Sequence, residues 1–347
     1  MVNMIENICF PQTQYFGSKE KLGSFIIENV EKYIGLEKIN TVFDAFSGSA
    51  YVGYIFKLLN KKVIGNDYLK FNYHVGNSLL VNNNITLGKK EIDVLFAFNK
   101  NKRQFFEKVY SDLFYTKEEC KTLDNFRYNN EKLKGIKRSL SFAIMTKVLI
   151  NMIPFGKFNY TTAIPYRNSK FKSYLNNYNI KEKFIEYSKI WNAAIYDNKK
   201  KNEMYCASTP NIVRNIKADL IYIDPPYIGT DYPDYYRYYH FLETFVVYPA
   251  KPVFIKKTKE VVKEKSRFSL NDKQEILKQF KILFERSGHI KYWVLSHNMK
   301  GYPSLNDFKE LITTINDKRK INIIEKEYIY KSGYKRKNNY EYLLIAK

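Results

Sequence analysis

Apolar and polar positions along this chain switch between two periods. Residues 20 to 33 carry apolar side chains at helical spacing, and Asn40–Asp44 (NTVFD) follows as a short apolar block of strand length. That block stops at a turn containing Gly48, after which residues 50 to 59 (AYVGYIFKLL) return to helical spacing. A second apolar block, Lys62–Asn66 (KVIGN), ends at Asp67. Strand, turn, helix and strand in this order predict the opening βαβ unit of a doubly wound parallel sheet.

From about Asn72 to Met204 the pattern is helical, rich in Lys, Asn, Phe and Tyr, without alternating strand signals. Strand character returns at Asp219–Ile223 (DLIYI), at Tyr292–Ser296 (YWVLS), and in the terminal pair Ile321–Tyr330 and Tyr340–Ala346, which predicts an antiparallel edge hairpin. The expected fold class is therefore α/β, a Rossmann-like sheet interrupted by a mostly helical insertion. Residues 1–73 and 205–347 form one domain in this reading, and residues 74–204 form the insertion. The Lys-rich stretch Lys251–Lys265 (KPVFIKKTKEVVKEK) reads as a charged surface loop or helix, solvated or in contact with a polyanion.

Composition narrows the functional classes. A chain of 347 residues with 45% hydrophobic content can bury one large core or two modest ones and is not disordered. Lys and Arg number 58 against 35 Asp and Glu, a net charge of +23, which is the footprint of a polyanion-binding surface. An AT-rich coding sequence would also raise Lys, but it accounts less well for the acidic deficit. Cys9, Cys120 and Cys206 have no zinc-like spacing and read as reduced, buried thiols, so no metal is expected. The first residues do not resemble a signal peptide, and the longest apolar stretch, Leu140–Phe155, is broken by Lys147 and Asn151. No membrane span is expected, and the implied compartment is cytoplasmic.

Chemistry begins at the first strand-to-helix turn. A small residue at Gly48 would let backbone approach a ligand closely, although ordinary tight packing explains such a turn equally well. Asp67 sharpens this, because a carboxylate at the end of the second strand can accept hydrogen bonds from both hydroxyls of a ribose. A nucleoside cofactor follows, whether a dinucleotide or S-adenosylmethionine (AdoMet). The absent third glycine of a pyrophosphate loop disfavours the dinucleotide.

The decisive segment is Ile221-Tyr-Ile-Asp224-Pro225-Pro226-Tyr227, in which a buried strand delivers a carboxylate and two prolines fix the exit. The prolines lack N–H groups, so Asp224 and the Pro225 carbonyl are left as neighbouring acceptors. An amino group on an aromatic base is a poor nucleophile until two acceptors draw its hydrogens out of the ring plane. Tyr227 offers a ring face for an extruded base.

On these residues the chain resembles the Dam-like DNA adenine N6-methyltransferases, whose order is cofactor region, target-recognition region, then DPPY. The resemblance implies AdoMet as cofactor and double-stranded DNA as partner, in a restriction-modification setting with a cognate endonuclease. Gln14-Tyr15-Phe-Gly-Ser-Lys19 is similar to the family's N-terminal motif and implies cofactor contacts from Tyr15 and Lys19. Asp44, Phe46 and Gly48 match D-x-F-x-G-x-G, with Ala50 in place of the last glycine, and Asp67 matches the ribose-binding acid. The family's adenine-binding acid is missing from Met204–Thr209, which leaves that contact to Cys206, Ala207 or Ser208.

Tyr239 and His240, in a segment similar to the family's Y-H-x-L-E-T, would line or steady the base pocket, or simply pack in the core. In the insertion, Phe155–Lys172 interleaves basic and aromatic residues around a family-like G-x-F-N. DNA contacts are implied for Lys157, Asn159, Arg167 and Lys170, with solvated surface charge as the plainer account. The implied reaction is direct transfer to adenine N6, without a covalent intermediate. Methylation of cytosine N4 or of RNA adenine, or a non-catalytic DNA-binding role on the same scaffold, would use the same features.

Overall fold

The central strands of this protein are apolar on both faces, and both faces are covered. The computed structural model describes residues 9–11, 17–153, 158, 178–226, 239–249, 251–256, 261–262, 266–270, 272–332 and 335–347. Its strands are β1 (Thr41–Asp44), β2 (Lys62–Asp67), β3 (Glu203–Cys206), β4 (Leu220–Ile223), β5 (Val253–Phe254), β6 (Val261–Val262), β7 (Tyr292–Asn298), β8 (Ile321–Ser332) and β9 (Lys335–Ala346). Seven of them form one sheet in the order β3-β2-β1-β4-β7-β9-β8. The first five run parallel, and β9 runs antiparallel between β7 and β8.

Successive side chains on a strand point to opposite faces, and here each set meets its own helical layer. Val42, Val63, Leu220, Val294 and Ile345 face a layer that includes helices α1 (Gly23–Tyr33) and α2 (Tyr51–Leu58). The same layer takes in the helices that follow β2: α3 (Lys70–Gly76), α4 (Lys89–Phe96), α5 (Phe105–Tyr110), α6 (Lys117–Asn130), α7 (Gly135–Asn151) and α8 (Ile180–Ala193). Every residue from Ser139 to Thr146 is buried, so α7 is the central helix of the insertion and is covered all round. Phe43, Ile64, Ile221, Trp293 and Leu344 point the other way. After α9 (Thr209–Ile212) and α10 (His240–Val247), helices α11 (Lys273–Arg286) and α12 (Leu305–Ile315) cover that second face.

The expected Rossmann-like α/β sheet is present, with four differences in detail. Strand β3 was not expected, because Glu203–Cys206 is an edge strand whose residues are half-buried or exposed and therefore lack an apolar signature. Lys251–Lys265 is not a loop or helix throughout, since β5 and β6 pair antiparallel within it. In the terminal hairpin β8 lies at the edge and β9 inside, and the strands outrun the apolar blocks. Only Cys120 is a buried thiol, whereas Cys9 and Cys206 are exposed, Cys206 because it sits on the edge strand.

Sheet and insertion are joined by a buried lysine. Lys57, on α2, is fully buried and donates to the carbonyl oxygens of Leu79 (3.0 Å) and Asn82 (2.6 Å), which end the helical run after α3. Burial pushes its pKa down to about 7. Replacing Lys57 with Met fills much of the same volume but strips both buried carbonyls of their donor. We expect a loss of about 2–4 kcal/mol of stability, seen as a lower urea midpoint at unchanged slope.

Candidate active site at the carboxyl edge of the sheet

Adjacent parallel strands end on the same side, so residues at their carboxyl ends converge. Asp44 closes β1, Asp67 closes β2, and Asp224 follows β4 directly. Asp44 Oδ2 accepts the N–H of Gly53 in the first turn of α2 at 3.1 Å. A Cβ on Gly53 would lie 3.0 Å from that oxygen and 3.1 Å from Leu80, so the position takes glycine. Asp67 Oδ2 accepts the Gly48 N–H at 2.9 Å, and its Oδ1 accepts the Leu69 N–H at 2.8 Å. One carboxylate thus ties together the loops that follow β1 and β2.

These two carboxyls are harder to ionise than usual. Burial pushes Asp44 up to about 7, with the negative charges of Asp224 and Asp67 adding to the effect and the Gly53 hydrogen bond opposing it. Asp67 rises to about 6, again chiefly through burial.

Lys19, 4% exposed, places its Nζ 2.9 Å from Asp224 Oδ1 and 3.1 Å from Glu341 Oε1. Glu341 Oε1 also accepts the Ser296 hydroxyl at 2.8 Å. Pro225 is buried and Pro226 half-buried. The structure therefore brings Lys19, Asp44, Gly48, Asp67, Asp224, Pro225 and Pro226 to one edge, as the sequence motifs require.

Cys206 closes β3 in register with Asp67 at the same edge, and the remaining expected residues have other surroundings. Phe46 leans to the opposite layer and packs edge-on against Phe268 at 5.1 Å. Ala207 sits beside Asp67, but its N–H is engaged by the Asp67 carbonyl (3.1 Å) and Asn66 Oδ1 (3.2 Å). The Cys206 thiol lies 3.8 Å from the Tyr68 carbonyl, and the Ser208 side chain does not cap α9, which it precedes. Tyr239 is fully buried, its ring 5.6 Å from Phe71, and His240 opens α10 at 6% exposure. Glu243 of the same segment accepts the Phe71 N–H at 3.0 Å, which fixes α10 to the start of α3. Tyr15, Lys157, Asn159, Arg167, Lys170 and Tyr227 lie outside the described residues.

A pocket beside this edge is lined by Gly48, Ser49, Phe71, Asn72 and Val75 on one side and by Ala143, Thr146, Lys147 and Ile150 of α7 on the other. Lys147 gave no functional signal in the sequence beyond interrupting an apolar run. Burial lowers its pKa to about 8, with the charge of Glu20 acting in the opposite direction.

Residues 15–332 match the family model of the D12 class N6 adenine-specific DNA methyltransferases. The chain belongs to that family. It is 29% identical to the type II methyltransferase M2.HphI of Haemophilus parahaemolyticus over 98% of both chains. It is 24% identical to the type II methyltransferase M.NlaIII of Neisseria lactamica over 95% of this chain and 98% of that one. Its 25% identity to M.FokI of Planomicrobium okeanokoites spans 83% of this chain but 45% of that larger protein.

Family membership makes the reaction methylation of adenine N6 in DNA and gives the carboxyl-edge cluster its setting. It also focuses attention on Ala50, which replaces the last glycine of the loop motif. Ala50 has φ 63° and ψ 13°, the left-handed conformation that glycine adopts freely and that costs an alanine about 1–2 kcal/mol. The loop keeps its shape and the chain absorbs the strain. Ala50→Gly should therefore change stability by less than about 1 kcal/mol, unlike a usual buried alanine, while a branched Ala50→Val should destabilise by about 2 kcal/mol or more. Thermal melts of the two variants check this.

Proposed function

We propose that this D12 methyltransferase acts on an adenine flipped out of duplex DNA at a specific sequence, with AdoMet as methyl donor and Asp224 and the Pro225 carbonyl as the two acceptors for the N6 hydrogens. The reading is carried by one observation: Asp224 stands just past the central strand β4, clamped by Lys19 at 2.9 Å and followed at once by Pro225. A fixed carboxylate and a fixed carbonyl, side by side, can accept the hydrogens of a planar amino group and leave its lone pair directed outward.

The residues fit AdoMet. Bound there, it supplies a methyl group on a cationic sulfonium. Asp44, Asp67, Asp224 and Glu341 outnumber Lys19 at this edge, so its electrostatics favour a cation. Asp67 accepts from the ribose hydroxyls. Gly48 and Ser49 leave room for the amino-acid arm, and Lys147 across the pocket supplies a positive partner for its carboxylate. Tyr15 and Tyr227 take the roles of cofactor packing and base stacking.

A catalytic domain of residues 1–73 and 205–347 and a target-reading insertion of residues 74–204 complete the assignment. Lys157, Asn159, Arg167 and Lys170 are its DNA contacts, and Tyr239 and His240 steady the base pocket through the α10 anchor. The likeness to type II methyltransferases supports a setting beside a cognate restriction endonuclease, with the enzyme acting in the cytoplasm.

Asp224→Ala tests this directly. The variant should melt within a few degrees of the wild type and still bind AdoMet, yet transfer no labelled methyl to unmethylated duplex DNA. Undiminished transfer would sink the assignment.

Cofactor binding should also depend on pH. With folded pKa values of about 7 for Asp44 and about 6 for Asp67, both carboxyls are ionised at pH 8 and become protonated as the pH falls to 6. Because these values are raised from the ordinary 3.8, the contribution of the two groups to stability is fully present below that value and is lost as the pH rises from there through 6 and 7. Weaker binding at pH 6 is therefore not a loss of fold. Calorimetry should show the AdoMet Kd rising about 3- to 10-fold from pH 8 to pH 6, and Asp67→Asn should bind weakly with a shallower slope.

A further inference from the structure

The last strand carries a charge where its neighbours carry hydrocarbon. Along β9, Leu343 and Ile345 belong to the apolar layer shared with the insertion, and Glu341 has the same parity as these two. It is 1% exposed. A carboxylate in that position costs solvation that an apolar side chain would not, so its presence needs compensation from specific partners. Its Oε1 has two: Ser296 of β7, a diagonal neighbour in the ladder, at 2.8 Å, and Lys19 at 3.1 Å.

Lys19 is a long side chain outside the sheet, held to Asp224 on one side and Glu341 on the other. With Asp224 as its only carboxylate, the ammonium could move with that carboxyl. A second carboxylate rooted in an interior strand pins the ammonium to the sheet, and the pinned ammonium then fixes the Asp224 carboxyl.

We propose that Glu341 is a positioning residue for methyl transfer, acting through Lys19 to hold Asp224 in its accepting geometry, with Ser296 orienting Glu341. This rests on the reading of Asp224 as acceptor. Glu341 never touches base or cofactor in this arrangement. Its effect belongs to the chemical step and not to AdoMet affinity, and it vanishes when Lys19 is gone.

The test is a double-mutant cycle on the full chain, with tritiated AdoMet and unmethylated duplex DNA of mixed sequence. Glu341→Gln keeps the shape and removes the charge, and it should lower kcat by about 10- to 100-fold with the AdoMet Kd within about threefold of wild type. In a Lys19→Met background the same substitution should add almost nothing. If Glu341→Gln does not fold, Ser296→Ala carries the test. It removes one anchor of Glu341 without stranding a charge, and its smaller fall in kcat should likewise disappear beside Lys19→Met.

Wild-type kcat in Glu341→Gln while Asp224→Ala is inactive overturns the proposal and spares the acceptor reading. So do effects of Glu341→Gln and Lys19→Met that simply multiply. Full transfer by Asp224→Ala, read in the same assay, overturns the acceptor reading beneath it.

Discussion

Burying like charges side by side is expensive, and the carboxyl edge of this sheet does so with Asp44, Asp67 and Glu341, with Asp224 half-buried beside them. The arrangement survives because each carboxylate has a defined counterpart. Backbone N–H groups of Gly53, Gly48 and Leu69 hold Asp44 and Asp67, and the Lys19 ammonium holds Asp224 and Glu341. Among the described residues at this edge, carboxyl groups outnumber the Lys19 ammonium. Burial is the main reason that Asp44 and Asp67 have pKa values of about 7 and about 6.

The rest of the architecture supplies this edge with rigid walls. Two apolar layers clamp the sheet, so β1, β2, β4 and β7 end at fixed heights. The insertion helices share the core of one layer, and α7 reaches back to face Gly48 and Ser49 across the pocket. The helices between β2 and β3 therefore share one packed core with the strands that carry the carboxyl edge. Lys57 sits at that junction and ties α2 to the segment after α3.

Central strands were legible because burial on both faces demands continuous apolar runs, as in Thr41–Asp44, Leu220–Ile223 and Tyr292–Asn298. Edge strand β3 was not, since Glu203–Cys206 is half-open to solvent and needs no such run. Asp44, Asp67 and Asp224 come to one edge because each lies at or just past the end of a strand. Glu341 escaped, because its meaning depends on a contact with Lys19 at the other end of the chain, and no local pattern encodes that. Ala50 looked like a departure from the loop motif, yet its left-handed backbone preserves the turn, a compensation that side-chain identity cannot reveal. The Tyr239 ring, a candidate for the base pocket, is wholly inside the core.

The central claim is that this carboxyl edge presents two acceptors to the amino group of adenine in DNA. Unmethylated duplex DNA incubated with the purified protein and isotopically labelled AdoMet, digested to nucleosides and resolved by mass, reads it out directly. The account expects label in N6-methyldeoxyadenosine alone. Label in N4-methyldeoxycytidine, or none above the Asp224→Ala background, would contradict it.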